Sequence, residues 1–99
     1  MTISKKMDGD KMVMALEDRL DTTTAPQLEN EFKVCLYEVK ELVLDLEKLE
    51  YLSSAGLRVL LTAQKQMENQ GGEMVVKNAN ETIMEVFEVT GFVDIITIK

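Results

Sequence analysis

Two adjacent hydroxyls, Ser53 and Ser54, sit where an apolar run gives way to helical spacing, in Asp45-Leu46-Glu47-Lys48-Leu49-Glu50-Tyr51-Leu52-Ser53-Ser54-Ala55-Gly56-Leu57-Arg58-Val59-Leu60-Leu61. A hydroxyl at a helix start has two uses. It can cap the free N–H groups of the first turn. It can also carry a phosphoryl group, whose charge those N–H groups and the helix dipole hold rather than expel. The residues alone favour the plain cap and leave both uses open. Nucleophilic catalysis has less support, because the chain has no histidine to act as base and no G-x-S-x-G turn.

The missing histidine also removes phosphohistidine carriers and His-ligated metals. The single cysteine, Cys35, cannot form an internal disulfide, a C-x-x-C redox pair or a multi-cysteine zinc site. It falls on an apolar helical face and reads as a core thiol, with nothing nearby in sequence to form its thiolate. Of the seven methionines, Met12, Met14, Met74 and Met84 fall at core spacings and read as packing. Glu81, Glu85 and Glu88 make an acidic helix face, read as solvated. Asp45 lies inside an apolar strand, a poor match to the paired-acid pocket of a receiver domain. Lys and Arg total 11 against 18 for Asp and Glu, a formal charge of −7 without a basic stripe. That argues against nucleic acid and against an anionic membrane surface as partners. No metal, no cofactor and no enzymatic activity are expected.

These groups need a scaffold to position them. The chain has 99 residues, of which 45% are hydrophobic and 29% charged, a composition that fits one globular domain over 1–99. Thr2 to Met7 alternates and reads as a half-exposed or edge strand. Residues 11–17, with Met12, Met14 and Leu16 on one face and Val13 and Ala15 on the other, read as a strand buried on both sides. Asp8-Gly9 between them predicts a hairpin turn. A polar connection over 18–24 then leads into a helix. Thr24 and Gln27 have the spacing of a capping box, and Ala25, Leu28, Phe32, Cys35, Leu36 and Val39 recur on one helical face. Residues 41–46 predict a strand apolar on both faces except at Asp45, followed by a loop over 47–52. A helix from Ser53-Ser54 stops at Gly71-Gly72, and a strand occupies 73–77. A helix capped by Asn80 closes at Gly91, and Ile95 to Ile98 make a last strand. The order is β-β-α-β-α-β-α-β: an α/β fold with a small mixed sheet screened by helices, its later strands parallel through right-handed crossovers. No apolar segment resembles a signal peptide or approaches the ~18 residues needed to span a membrane, which points to the cytoplasm.

The segment Tyr51 to Leu61 resembles the signature of the STAS family, the bacterial anti-sigma factor antagonists. So do Leu20-Asp21-Thr22-Thr23-Thr24-Ala25, Gly71-Gly72-Glu73-Met74-Val75-Val76 and Val86-Phe87-Glu88-Val89-Thr90-Gly91-Phe92, in matching order over essentially the whole chain. The resemblance implies a binding switch in transcription regulation. Such a protein frees a sigma factor by docking on an anti-sigma factor that is also a serine kinase. The kinase inactivates it by phosphorylation, and a metal-dependent phosphatase restores it. Laid on this chain, the family's pattern puts Ser53 where an aspartate is usual and Ser54 at the acceptor. Ala55 stands where a second hydroxyl is usual, and Gly56 at the glycine. The resemblance thus implies Ser54 as the phosphorylated residue, with Ser53 as second choice, and Asp21, Thr22, Ser53, Ser54, Gly56 and Arg58 as partner contacts. Asp21 either orients the acceptor or contacts the kinase, or else forms an Asx-turn into the helix. Arg58 pairs with an acid of this chain or of the partner, or is a solvated surface arginine. A second reading keeps the fold and makes the chain a non-switched scaffold of a stress-signalling complex or a subunit of a lipid-transport assembly.

Overall fold

The computed structural model describes the whole chain, Met1–Lys99. Its elements are β1 (Thr2–Asp8), β2 (Lys11–Leu20), α1 (Ala25–Cys35), β3 (Glu41–Leu52), α2 (Ser54–Asn69), β4 (Glu73–Lys77), α3 (Glu81–Thr90), a short 3-10 turn (Phe92–Asp94) and β5 (Thr97–Ile98). The five strands lie side by side in chain order. Only β1 and β2 are antiparallel, and the rest pair in parallel. Each helix therefore crosses from one parallel strand to the next in the same direction. The right-handed rule for such crossovers puts all three helices on one face of the sheet.

This one-sidedness corrects the expectation for β2. Met12, Met14 and Leu16 are buried beneath the helices, whereas Lys11, Val13 and Ala15 are only half-buried. Apolar residues on both faces of a strand do not guarantee two covering layers. On the open face, Val13, Val43 and Val75 stand in register across β2, β3 and β4. Val43 and Val75 are buried yet lie outside the main core cluster. That core is built from Leu42, Leu44, Leu46, Met74 and Val76 of the sheet against Leu28, Phe32, Leu57, Leu60, Met67, Ile83 and Phe87 of the helices. β1 is exposed along almost its whole length, as expected of an edge strand. The turn joining it to β2 is Gly9-Asp10, one residue later than predicted, with Gly9 at φ 65°.

The largest departure lies over residues 47–52, which are strand and not loop. Here β3 pairs with the tail of β2, Lys48 opposite Glu17, Leu49 opposite Asp18, Tyr51 opposite Arg19 and Leu52 opposite Leu20. Two register shifts interrupt this ladder, and each leaves one extra residue on β3. Those extra residues space the buried Leu46, Leu49 and Leu52 three apart instead of two, which hides the strand from a period-two reading.

Two local expectations for α1 also change. The helix stops at Cys35 with Leu36 as its C-cap, and Glu38 at φ 65° turns the chain so that Val39 still reaches the core. The capping box does not form. Thr24 makes no side-chain cap; its Oγ1 accepts from the N–H of Asp21 and donates to the carbonyl of Arg19, both at 2.9 Å. The Gln27 amide donates to the carbonyl of Met1. Cys35, the last residue of α1, is half-buried at the rim of the core. Its burial pushes the thiol pKa up, and Lys5 opposes that only in part. Met84 is likewise half-buried, and β5 is a two-residue strand preceded by the 3-10 turn.

Candidate functional site

The last residues of β2 and β3 and the first turns of α1 and α2 meet at one end of the sheet. Leu20 and Leu52 are paired and buried, and the N–H of Ser53 donates to the carbonyl of Leu20 at 2.9 Å. Ser53 is thereby held in extended conformation, φ −93° and ψ 172°. Its Oγ accepts from the N–H of Gly56 at 3.2 Å, so it is the N-cap of α2. The capping role is filled by one serine and the other is left over. Ser54, the first residue of the helix, is exposed, and its hydroxyl makes no hydrogen bond within the chain. The N–H groups of the first turn other than that of Gly56 have no intrahelical acceptor.

The helix start sits close to the sheet because of Gly56. A Cβ on this residue would lie 2.6 Å from Leu20 Cγ and 2.9 Å from the Leu20 carbonyl oxygen. Gly56, expected among the partner contacts, is buried. Its part is to let the first turn of α2 rest on the end of β2.

Asp21 follows Leu20 and is spent on its own loop. Oδ1 accepts from the Thr23 N–H at 2.9 Å, the Thr23 hydroxyl at 2.7 Å and the Thr24 N–H at 3.2 Å, while Oδ2 faces Arg19 Nε at 3.5 Å. This is the Asx-turn of the two alternatives. The Thr23 hydroxyl and the two N–H groups draw its pKa down to about 2. Asp21 is thus a negative charge fixed within the turn that follows Leu20, with no hydrogen bond to Ser53 or Ser54. Thr22 is exposed at the apex of the turn. Arg58 is exposed, forms no ion pair within the chain and lines a shallow groove between α1 and α2 with Thr22, Pro26, Glu29 and Ala55.

Two residues that the sequence did not single out belong to the same end. The Arg19 guanidinium lies over the Tyr51 ring, 4.3 Å from its centroid. Their pairing follows from the second register shift between β2 and β3, so nothing in the linear spacing signals it. Nothing here supplies a general base to either serine. The arrangement offers an exposed hydroxyl, unsatisfied N–H groups and two arginines, which suit recognition and modification by another protein.

Elsewhere, Asp45 lies on the open face of the sheet, where the Asn78 amide and the Glu47 N–H hold its carboxyl below the usual range. No group of three or more His, Cys, Asp or Glu converges as a metal site would require. No helix is long and apolar enough to cross a membrane.

BtrV of Bordetella bronchiseptica is 38% identical to this chain over 91 residues, covering 91% of this chain and 78% of that protein. The anti-sigma-B factor antagonist of Listeria monocytogenes is 34% identical over 98 residues, covering 96% and 84%. Among solved structures, the anti-sigma factor antagonist SpoIIAA in its unphosphorylated form superposes with a TM-score of 0.86 at 19% identity, over 99% of this chain and 88% of that one. SpoIIAA in its phosphorylated form gives 0.79 at the same identity, over 99% and 91%. These structural likenesses bear on the fold. The model of the STAS domain matches residues 2–99, and with relatives above 30% identity along nearly its full length, this chain belongs to the STAS domain family.

Proposed function

We propose that this chain, as one domain over 1–99, is an anti-sigma factor antagonist of the cytoplasm. It acts by binding. It docks on an anti-sigma factor with serine kinase activity, releases the sigma factor, and is switched off when that kinase phosphorylates Ser54. A metal-dependent serine phosphatase resets it. The docking surface comprises Thr22, Ser54 and Arg58, with Asp21 and Ser53 holding its two loops in place.

The observation that carries this reading is the division of labour between the two serines. Ser53 is the N-cap, and its Oγ is engaged by Gly56 N–H. Ser54 is exposed and uncommitted. A kinase can take the Ser54 hydroxyl without undoing the helix start. The names of the relatives support the antagonist role, and the phosphorylated form of a protein of the same fold supports modification as the switch.

No refolding is needed. A phosphoserine adds about −1.5 to −2 charges at pH 7. Placed in a docking surface, that charge brings repulsion and desolvation, and about 2.8 kcal/mol suffices for a hundredfold loss of affinity.

The test is to incubate the chain with the anti-sigma kinase of the same genome and ATP, map the phosphoserine, and measure binding by calorimetry. Phosphate on Ser54, its loss in Ser54→Ala with binding retained, and weaker binding of Ser54→Asp are the expected results. Phosphate on Ser53 that persists in Ser54→Ala overturns the choice of acceptor. Failure of any anti-sigma kinase to bind the wild type or Ser54→Ala overturns the switch and favours the non-switched scaffold.

A further inference from the structure

Between Lys77 and Lys99 the chain has no basic residue, while residues 78–98 hold four acids, Glu81, Glu85, Glu88 and Asp94. Three of the four lie on α3. We propose that the outer side of α3 is a docking surface for a basic amphipathic helix of another protein. It does not involve Ser54 and does not rest on the reading of that residue as the modified one.

Two ribbons run along α3 beside its core face. Ile83 and Phe87 are buried in the core. Thr82, Val86 and Val89 recur at i, i+4 and i+7, so they stack along one flank of the helix. Glu81, Glu85 and Glu88 repeat that spacing one position earlier and form a second ribbon, farther round from the core and fully exposed. Thr82, Glu85, Val86, Val89 and Thr90 line a shallow groove on this side. Val89 is 87% exposed, more than any other large apolar residue of the chain. The Thr90 hydroxyl donates to the carbonyls of Val86 at 2.7 Å and Phe87 at 3.3 Å, so it is satisfied within the helix. An apolar strip at this spacing with charges alongside is the pattern by which one helix receives another.

The charges indicate which kind of helix. No acid of α3 has an ion pair, since the pairs of the molecule are Lys5–Glu31, Lys11–Glu41, Arg19–Asp21 and Lys33–Glu29. Glu81 and Glu85 stand four residues apart and Glu85 and Glu88 three apart, spacings at which like charges destabilise a helix. Glu81 at the N-terminus suits the helix dipole. Glu88 in the last turn opposes it, and that turn has no basic residue to offset the charge. The ribbon therefore carries negative charge that nothing in the chain compensates. Lys or Arg flanking an apolar strip on the partner would compensate it.

Other occupants fit less well. The same ribbon repels nucleic acid and anionic lipid. The other helices of this chain hold only Lys33, Arg58 and Lys65 as basic residues, and two copies of net charge −7 repel each other. The docking helix therefore belongs to a basic partner. With ten residues, α3 is about 15 Å long, so the contact is small, transient and weakened by salt.

The probe is a synthetic amphipathic helix of leucine and lysine, titrated into the isotope-labelled chain and followed by amide NMR. Shifts should concentrate on Thr82, Glu85, Val86, Val89 and Thr90, and a matched helix of leucine and glutamate should cause none. Glu85→Gln combined with Glu88→Gln should weaken binding about three- to tenfold, as expected for two exposed ion pairs. Val89→Ser should weaken it roughly fivefold. Glu50→Gln combined with Glu73→Gln removes the same charge from exposed positions of β3 and β4 and should leave the affinity within about twofold. Thermal melts should show the Glu85 and Glu88 double variant at least as stable as wild type, because repulsion along the helix is relieved. Shifts centred on Glu17, Asp45 and Glu47 or on the start of α2, or equal weakening by the two charge-removing pairs, overturn the α3 surface. A less stable double variant shows that the fold does compensate these acids and overturns the basis for a basic partner. Sedimentation that finds a dimer, dissociated by Val89→Ser, makes a second copy the occupant and overturns the foreign helix.

Discussion

The start of α2 and the start of α3 are built on the same cap. Ser53 and Asn80 are both extended, at φ −93°, ψ 172° and φ −73°, ψ 173°, and each side chain accepts from the N–H three residues on, of Gly56 and of Ile83. The residue after the cap differs. In α3 it is Glu81, which sets a permanent negative charge at the positive end of the helix dipole. In α2 it is Ser54, an uncharged hydroxyl at the equivalent place, and the first turn holds no acid. The two junctions diverge again at the residue whose N–H is capped. Ile83 fills the core with a fully buried side chain, whereas Gly56 brings the helix backbone against Leu20. One junction is a finished structural joint. The other leaves the Ser54 hydroxyl and Arg58 uncommitted. A good cap does not by itself mark a functional site; the groups left over once the cap is satisfied do.

This contrast can be tested first where it is largest. Ile83→Ala should cost about 2–5 kcal/mol of stability by opening a cavity. Gly56→Ala should cost about 1–3 kcal/mol through crowding against the backbone of Leu20, and should weaken partner binding by lifting the α2 start. Urea titrations read both; a Gly56→Ala chain as stable as wild type would mean the close approach has no energetic weight.

The caps come next. Asn80→Ala and Ser53→Ala should each cost about 0.5–2 kcal/mol. Asn80 should lie at the upper end, because its amide also donates to the carbonyl of Leu49 at 3.1 Å. If Ser53→Ala also prevents modification of Ser54, the separation of cap from acceptor fails.

The Asp21 turn has no counterpart ahead of α3 and sharpens the contrast through pH. Its folded pKa of about 2 lies below the usual value of 3.8, so its contribution to stability is fully present above about pH 4 and is lost as pH falls toward 2. Asp21→Asn keeps the acceptor for Thr23 and Thr24 and removes the titration. The stability difference between wild type and this variant should therefore change over that window and be flat above pH 5, as urea midpoints measured from pH 2 to 7 would show.

The smallest expected effect on folding is at Ser54. Ser54→Ala should change stability by no more than about 0.5 kcal/mol, as for other exposed sites. Ser54→Asp should add about 0.3–1 kcal/mol through the helix dipole, making α2 resemble α3 at this position, while weakening docking. A destabilised Ser54→Asp in thermal melts would show that the junction does not accept charge.

Much of this molecule was legible along the chain because its determinants are local. Alternation marked Thr2 to Met7, helical spacing marked Leu28 and Phe32 of α1, Asn80 marked the start of α3, and Gly91 at φ 77° marked its end. The location of the hydroxyl pair at a strand-to-helix junction followed from the same local patterns, and the family resemblance singled out Ser54. Tertiary structure alone decided four things. The covered face of the sheet depends on crossover direction, so the apolar Val13 and Ala15 gave no warning that their side stays open. The strand over 47–52 depends on two extra residues opposite a neighbour far off in sequence. The cap on α2 went to Ser53 because the Leu20 carbonyl fixes its backbone. Arg19 met Tyr51 through a shifted register. Each of these is a contact between segments separated by a loop or a helix, and hydrophobic period and capping residues report only on neighbours within a few residues of one another.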